Sequence, residues 1–287
     1  MEAEKSPEQE GRSVSREMEG YASYLDGCEK SPATVEKYTR YARAFLVYLD
    51  GAEATREGVL KWKKAVTARY TAAGANGMIA AVNSFVAYLG RPELKVAALR
   101  VQRRMFTLAE SELGEREFKK LVSQAEHNGG GRLSLVMRTL LATGIRVSEL
   151  GFITAEAVTA GHTEITLKGK TRAIFLTPAL CAALHGYALA RGITRGPIFV
   201  TRTGKPLDRF SIWRGMKKLC GSARVAAKKV FPHNLRKLFA RIFYSHIPKL
   251  ARLADVLGHS NVNTTRAYTA LSGESLREQL SALPLML

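Results

Sequence analysis

The sequence predicts a mainly α-helical protein with one small β-sheet, and three observations carry that expectation. Apolar residues recur at helical spacing through most of the chain, as in Val35, Tyr38, Ala42, Leu46 and Leu49. Only two short runs read as strands, Glu164–Leu167 and Ala173–Leu176, and the basic stretch Lys168–Arg172 between them makes a hairpin tip. With 287 residues, 46% of them hydrophobic, the chain has material for two cores, and no apolar run reaches transmembrane length.

In chain order, residues 1–15 are polar and mostly acidic, which reads as a disordered leader and argues against a signal peptide. Residues 16–102 form a first, all-helical domain. Ser31-Pro32 supplies a cap followed by proline at the first helical position, and further helices span Val59–Tyr70 and Met78–Leu89, the latter closed by Gly90. The basic stretch Arg91–Met105 is the expected linker. A second domain, mixed α/β over residues 103–271, opens with a helix from Leu113 through Ala125 and a polar loop, His127–Gly131. A buried helix carries Leu133, Val136, Met137, Leu140 and Leu141. Thr143-Gly144 interrupts it, and a new helix starts around Arg146. After the hairpin, helices are expected at Pro178–Ala190, Phe210–Ala226, Pro232–Ser245 and Pro248–Leu257, with Gly258 in the left-handed position past the last. Residues 272–287 form a tail: a short amphipathic helix, then Leu280, Leu283, Leu285 and Leu287 with no charge.

The formal net charge is +19, and no acidic residue stands between Asp208 and Asp255. A field of one sign over so long a stretch points to a polyanionic partner, nucleic acid before anionic membrane, because no basic amphipathic helix with a bulky aromatic face is present. The three cysteines, Cys28, Cys181 and Cys220, form no C-x-x-C pair and read as reduced, small buried residues of a cytoplasmic protein. The six histidines are scattered without ligand spacing, and neither a P-loop nor a dinucleotide fingerprint occurs, so neither metal nor cofactor is expected.

Four short stretches remain. They are Ala142-Thr143-Gly144-Ile145-Arg146-Val147-Ser148-Glu149-Leu150, the tip Lys168-Gly169-Lys170, Pro232-His233-Asn234-Leu235-Arg236, and Leu257-Gly258-His259 followed by Thr264-Thr265-Arg266-Ala267-Tyr268. Three of them have a bland reading: Arg146 paired with Glu149 at i+3, His233 near a helix cap, and Tyr268 as a packing residue. In combination they resemble the tyrosine recombinase (phage integrase) family over about residues 106–280. The Ser-Pro-x-Thr start of the first domain resembles that family's helical core-binding domain. The uncharged stretch Ala75–Leu89 departs from that domain's pattern, and Asn234 and Arg241 depart from the family's Pro-His-x-Leu-Arg-x-x-Phe-Ala stretch.

The resemblance implies a site-specific recombinase that cuts and rejoins double-stranded DNA at inverted-repeat sites without cofactor or metal. It implies a free monomer that assembles as a homo-tetramer on DNA, passes through a Holliday junction and exchanges its tail between protomers. Arg146, Lys168, His233, Arg236, His259 and Tyr268 are the implied catalytic residues. A phenol with a pKa of about 10 is a poor nucleophile at neutral pH without cations and a base. Forked guanidiniums fit the oxygens of a phosphorane, and a lysine on a hairpin suits protonation of the leaving 5′-oxygen. By its place in Lys-Gly-x-x-Arg, Lys168 is favoured over Lys170 for that role. Two rival readings stay open at this point: DNA relaxation by the same chemistry, as in type IB topoisomerases, and a DNA-binding protein without catalysis.

Overall fold

The protein is described by a computed structural model covering residues 7–101, 112–129, 131–167, 170–201, 203–259 and 265. The expected tail 272–287, Lys168 and Tyr268 lie outside the described residues. The chain divides into two units, Met1–Arg103 and Arg104–Leu287.

The first unit is built from α1 (Pro7–Gly27), α2 (Pro32–Leu49), α3 (Arg56–Arg69) and α4 (Ala72–Tyr88). Helix α1 begins inside the stretch expected as a disordered leader. Met18, Tyr21 and Leu25 lie on one stripe of α1 and are buried, so the helix is held by packing. Ser31 and Pro32 open α2 as expected. The uncharged α4 is the central element. Ala75, Met78, Ile79, Ala81, Val82, Phe85 and Val86 are all buried, which leaves little of its surface for charge. Tyr21 meets the edge of Phe85 at 5.1 Å between centroids, and Phe45 meets Trp62 at 5.3 Å.

The expected linker is not free at its start. Asn83 donates to the Val96 carbonyl (2.8 Å) and accepts from its amide (2.9 Å). Asn76 does the same for Leu99 at 3.0 and 2.7 Å. These two side chains, two helical turns apart on α4, stand in for a missing strand and seat Val96 in the first unit's core.

In the second unit, α5 (Glu115–His127), α6 (Gly131–Thr143), α8 (Pro178–Ala190), α9 (Arg209–Lys218) and α10 (Pro232–His246) surround one core, which includes Leu121, Met137, Leu140, Leu184, Met216 and Leu235. After α6 the chain makes a 3₁₀ turn, Val147–Phe152, where a longer helix was expected, and then the short α7 (Ala155–Ala160), which periodicity did not signal. The hairpin strands are β1 (His162–Leu167) and β2 (Lys170–Phe175), paired antiparallel with Leu167 opposite Lys170 and Ile165 opposite Arg172. Lys170, Thr171 and Arg172 are therefore strand rather than tip. Backbone pairing continues as far as a two-residue connection permits, regardless of side-chain polarity.

Asp208 caps α9, accepting from the amides of Phe210 and Ser211 at 2.8 and 2.9 Å. That helix ends at Lys218, short of the expected Ala226. Helix α11 (Leu250–Leu257) hangs on α10 through Ala240, Leu253 and Leu257, with Phe239, Phe243 and Tyr244 against them. No described helix is long and apolar enough to cross a membrane. Cys220 is buried, Cys181 half-buried and Cys28 exposed, so burial fails for Cys28.

Candidate active site

Three chain ends meet in the second unit: the end of α6, the start of α10 and the end of α11. Gly144 turns the chain out of α6 at φ +62, and a Cβ there would stand 2.3 Å from the ring of Phe239 on α10. Both the backbone conformation and the close helix approach require glycine. The turn delivers Arg146 to the start of the 3₁₀ turn, where its side chain keeps 45% exposure. Its backbone amide donates to Glu149 Oε2 (2.7 Å) and its Nη1 to Oε1 (3.0 Å). The i+3 pair of the bland reading thus exists, but its carboxylate is only 1% exposed. That burial is tolerated because Glu149 also accepts from Arg172 Nη2 on β2 (2.5 Å). Arg172 in turn donates to the Val256 carbonyl of α11 (3.2 Å).

Arg236 is 2% exposed and is the largest of the fully buried side chains among the described residues. It donates from Nη1 to the Gly144 carbonyl and from Nη2 to the Leu257 carbonyl, each at 2.6 Å. The second acceptor lies at the C-terminus of α11, where the helix dipole favours a cation. Nη2 also lies 3.0 Å from Nε2 of His259. The backbone of His259 is fixed by the end of α11: Gly258 at φ +65 donates to Asp255 (3.0 Å), and His259 donates to Ala254 (2.9 Å). That is a Schellman pair, as the glycine predicted. The Arg172 side chain lies over Gly258, where a Cβ would come within 2.6 Å of its Cδ.

Burial pushes the His259 imidazole down to about 4, with help from Arg236, Arg146, Arg172 and His233. The ring is therefore neutral at neutral pH. His233, one turn before Arg236, is also held below the ordinary histidine range, first by desolvation of its ring and then by Lys237, Arg236 and Arg146. A cleft of about 1200 Å³ opens beside this cluster, lined by Arg146, Glu149, Arg172, Phe239, Gly258 and His259 among others. The structure therefore brings Arg146, Arg236, His259 and His233 together.

The two departures in the Pro232–Arg241 stretch pack. Asn234 is buried and donates to the Lys229 carbonyl (2.8 Å), and Arg241 pairs with the buried Glu112. Tyr187 packs near Phe199, and Tyr244 lies against the α10–α11 cluster.

The phage integrase family profile matches residues 112–274. This chain belongs to that family, the tyrosine recombinases. Among relatives, it is 28% identical over 277 residues to tyrosine recombinase XerA of Pyrococcus furiosus, covering 94% of each chain. It is 30% identical to tyrosine recombinase XerC of Mesorhizobium japonicum, covering 86% of this chain and 88% of the other. Among solved structures, the XerA recombinase crystal structure aligns with a TM-score of 0.53 at 25% identity, covering 96% of this chain and 100% of that one. A lambda integrase tetramer bound to a Holliday junction aligns with a TM-score of 0.72 at 19% identity, over 89% and 76% of the two chains.

For this tyrosine recombinase, sequence reading missed Arg172 as part of the site. A signal existed: Arg172 lies two residues before the buried Ile174 on β2, so period-2 alternation puts it on the core side, where a charge needs a partner.

Proposed function

We propose that this chain cleaves and rejoins duplex DNA at specific sites through a 3′-phosphotyrosyl intermediate, with Tyr268 as nucleophile. The observation that carries this reading is the gathering of Arg146, Arg236 and His259 at one site in a chain of this family: Arg146 and His259 line the cleft, and Arg236 is buried behind His259. The phenol oxygen of Tyr268 attacks the scissile phosphorus, and the P–O5′ bond breaks. Arg146, Arg236 and His259 hold the non-bridging oxygens as charge builds on them. Lys168 gives the 5′-oxygen its proton. His233, whose depressed pKa keeps it neutral, takes the proton of the phenol. The ester conserves the energy of the broken bond, so a free 5′-hydroxyl can reverse the step without ATP.

The same reading extends to the assembly. Two inverted-repeat sites are held by four protomers, strands exchange through a Holliday junction, and the tail 272–287 docks on a neighbouring protomer. Truncation after Ala270 should then abolish assembly on DNA without abolishing binding of a single protomer.

The direct test uses a nicked duplex enriched from a random-sequence pool by binding to the protein. The wild type should form an SDS-resistant protein–DNA adduct. Tyr268→Phe should form none while binding the duplex with near wild-type affinity. An adduct with Tyr268→Phe would remove the assignment.

A further inference from the structure

We infer that Thr265 is a positioning residue for this reaction: its hydroxyl holds the rotation of the His259 ring that completes the anion cradle. The inference rests on the catalytic reading above.

The argument starts from what each group is able to donate. A guanidinium carries donors only. Arg236 Nη2 lies 3.0 Å from His259 Nε2, so Nε2 accepts and holds a bare lone pair. The proton of the neutral ring is then on Nδ1, and Nδ1 lies 2.8 Å from Thr265 Oγ1. Thr265 is fully buried at 0% exposure, so water does not compete for that contact. The backbone of His259 is already pinned by its bond to Ala254. With Nδ1 held as well, the ring has one direction, edge-on to Arg236.

A hydroxyl suits this position in a way no apolar side chain does. It accepts from Nδ1–H and, rotated about its C–O bond, donates to a bare Nδ1. It therefore keeps the ring in place when a phosphate oxygen replaces Arg236 at Nε2 and that nitrogen must carry a proton. Thr265 also stands three residues before Tyr268 in the chain.

The test compares Thr265→Val, which keeps the shape and loses the hydroxyl, with Thr265→Ser, which keeps the hydroxyl. Histidine side-chain ¹H–¹⁵N correlations of the full DNA-free chain, assigned with His259→Gln, should show protonated Nδ1 and bare Nε2 in the wild type. Thr265→Ser should retain that pattern and Thr265→Val should lose it. Adduct formation on the enriched nicked duplex should fall about 10- to 100-fold in Thr265→Val, the range seen for partners behind a metal-bound histidine, and recover in Thr265→Ser. A wild-type ring protonated on Nε2 overturns the inference, as does a Thr265→Val protein that cleaves like wild type. If Thr265→Val does not fold, the wild-type spectrum and Thr265→Ser decide. An adduct from Tyr268→Phe would instead count against the catalytic reading, while the spectra still judge the Thr265–His259 contact.

Discussion

One wall of the site holds Arg146 and Arg172 on a buried carboxylate, whereas the other holds the buried Arg236 on two backbone carbonyls and an imidazole. Both place cations where a phosphate is proposed to bind, but they are sensitive to different changes. The first wall depends on a full negative charge taken out of water, so losing that charge strands the largely buried Arg172 guanidinium. The second depends on the ends of helices and on a ring that must stay neutral for Nε2 to accept. Helix geometry secures it, and acid threatens it.

Removing the carboxylate should have the largest effect. Glu149→Gln should destabilise the second unit by about 3–5 kcal/mol, the cost of breaking a buried pair from one side, read from urea denaturation. A loss under about 1 kcal/mol would mean that the first wall is held by packing rather than by Glu149.

The junction between the walls should come next. Arg172 lies on Gly258, so Gly258→Ala imposes a left-handed alanine and also pushes Arg172 off α11. The backbone alone should cost about 1–3 kcal/mol, and the displaced Arg172 should make Glu149→Gln less damaging in the double variant. Strict additivity would separate the two walls.

Acid should give the smallest effect and touch the second wall. His259 is held at about 4 in the fold against an ordinary value of 6.5, so the unfolded chain binds the extra proton between those values. Stability is then fully present above pH 6.5 and is lost as pH falls toward 4. The wild-type melting temperature should drop further between pH 7 and pH 5 than that of His259→Gln. Parallel curves would mean that another group governs the loss.

Much of the fold and part of the site could be read from residue order. The limits of α8 follow from Thr177-Pro178 at its start, and Gly258 follows from the need for a left-handed residue after Leu257. His233 and Arg236 share a face because they are three apart on α10. What escaped reading depends on partners distant in the chain. Arg172 looks like part of a basic tip until pairing with Ile165 turns it inward. Asn76 and Asn83 look like polar interruptions of an apolar helix until the chain returns past them at Val96 and Leu99. Helix α1 escaped because its polar start hides a stripe that has meaning only against α4. Burial of Glu149 was invisible for the same reason, since β2 and the 3₁₀ turn that carries Glu149 meet only in space.

The paired amides of α4 also have a practical meaning for anyone cutting the gene. A fragment ended at Gly90 would discard the four hydrogen bonds that Asn76 and Asn83 make to Val96 and Leu99, and would uncover the apolar groove that Val96 fills. Such a piece should misbehave in solution for reasons unrelated to DNA. An expression boundary placed beyond Val101 keeps that seam closed.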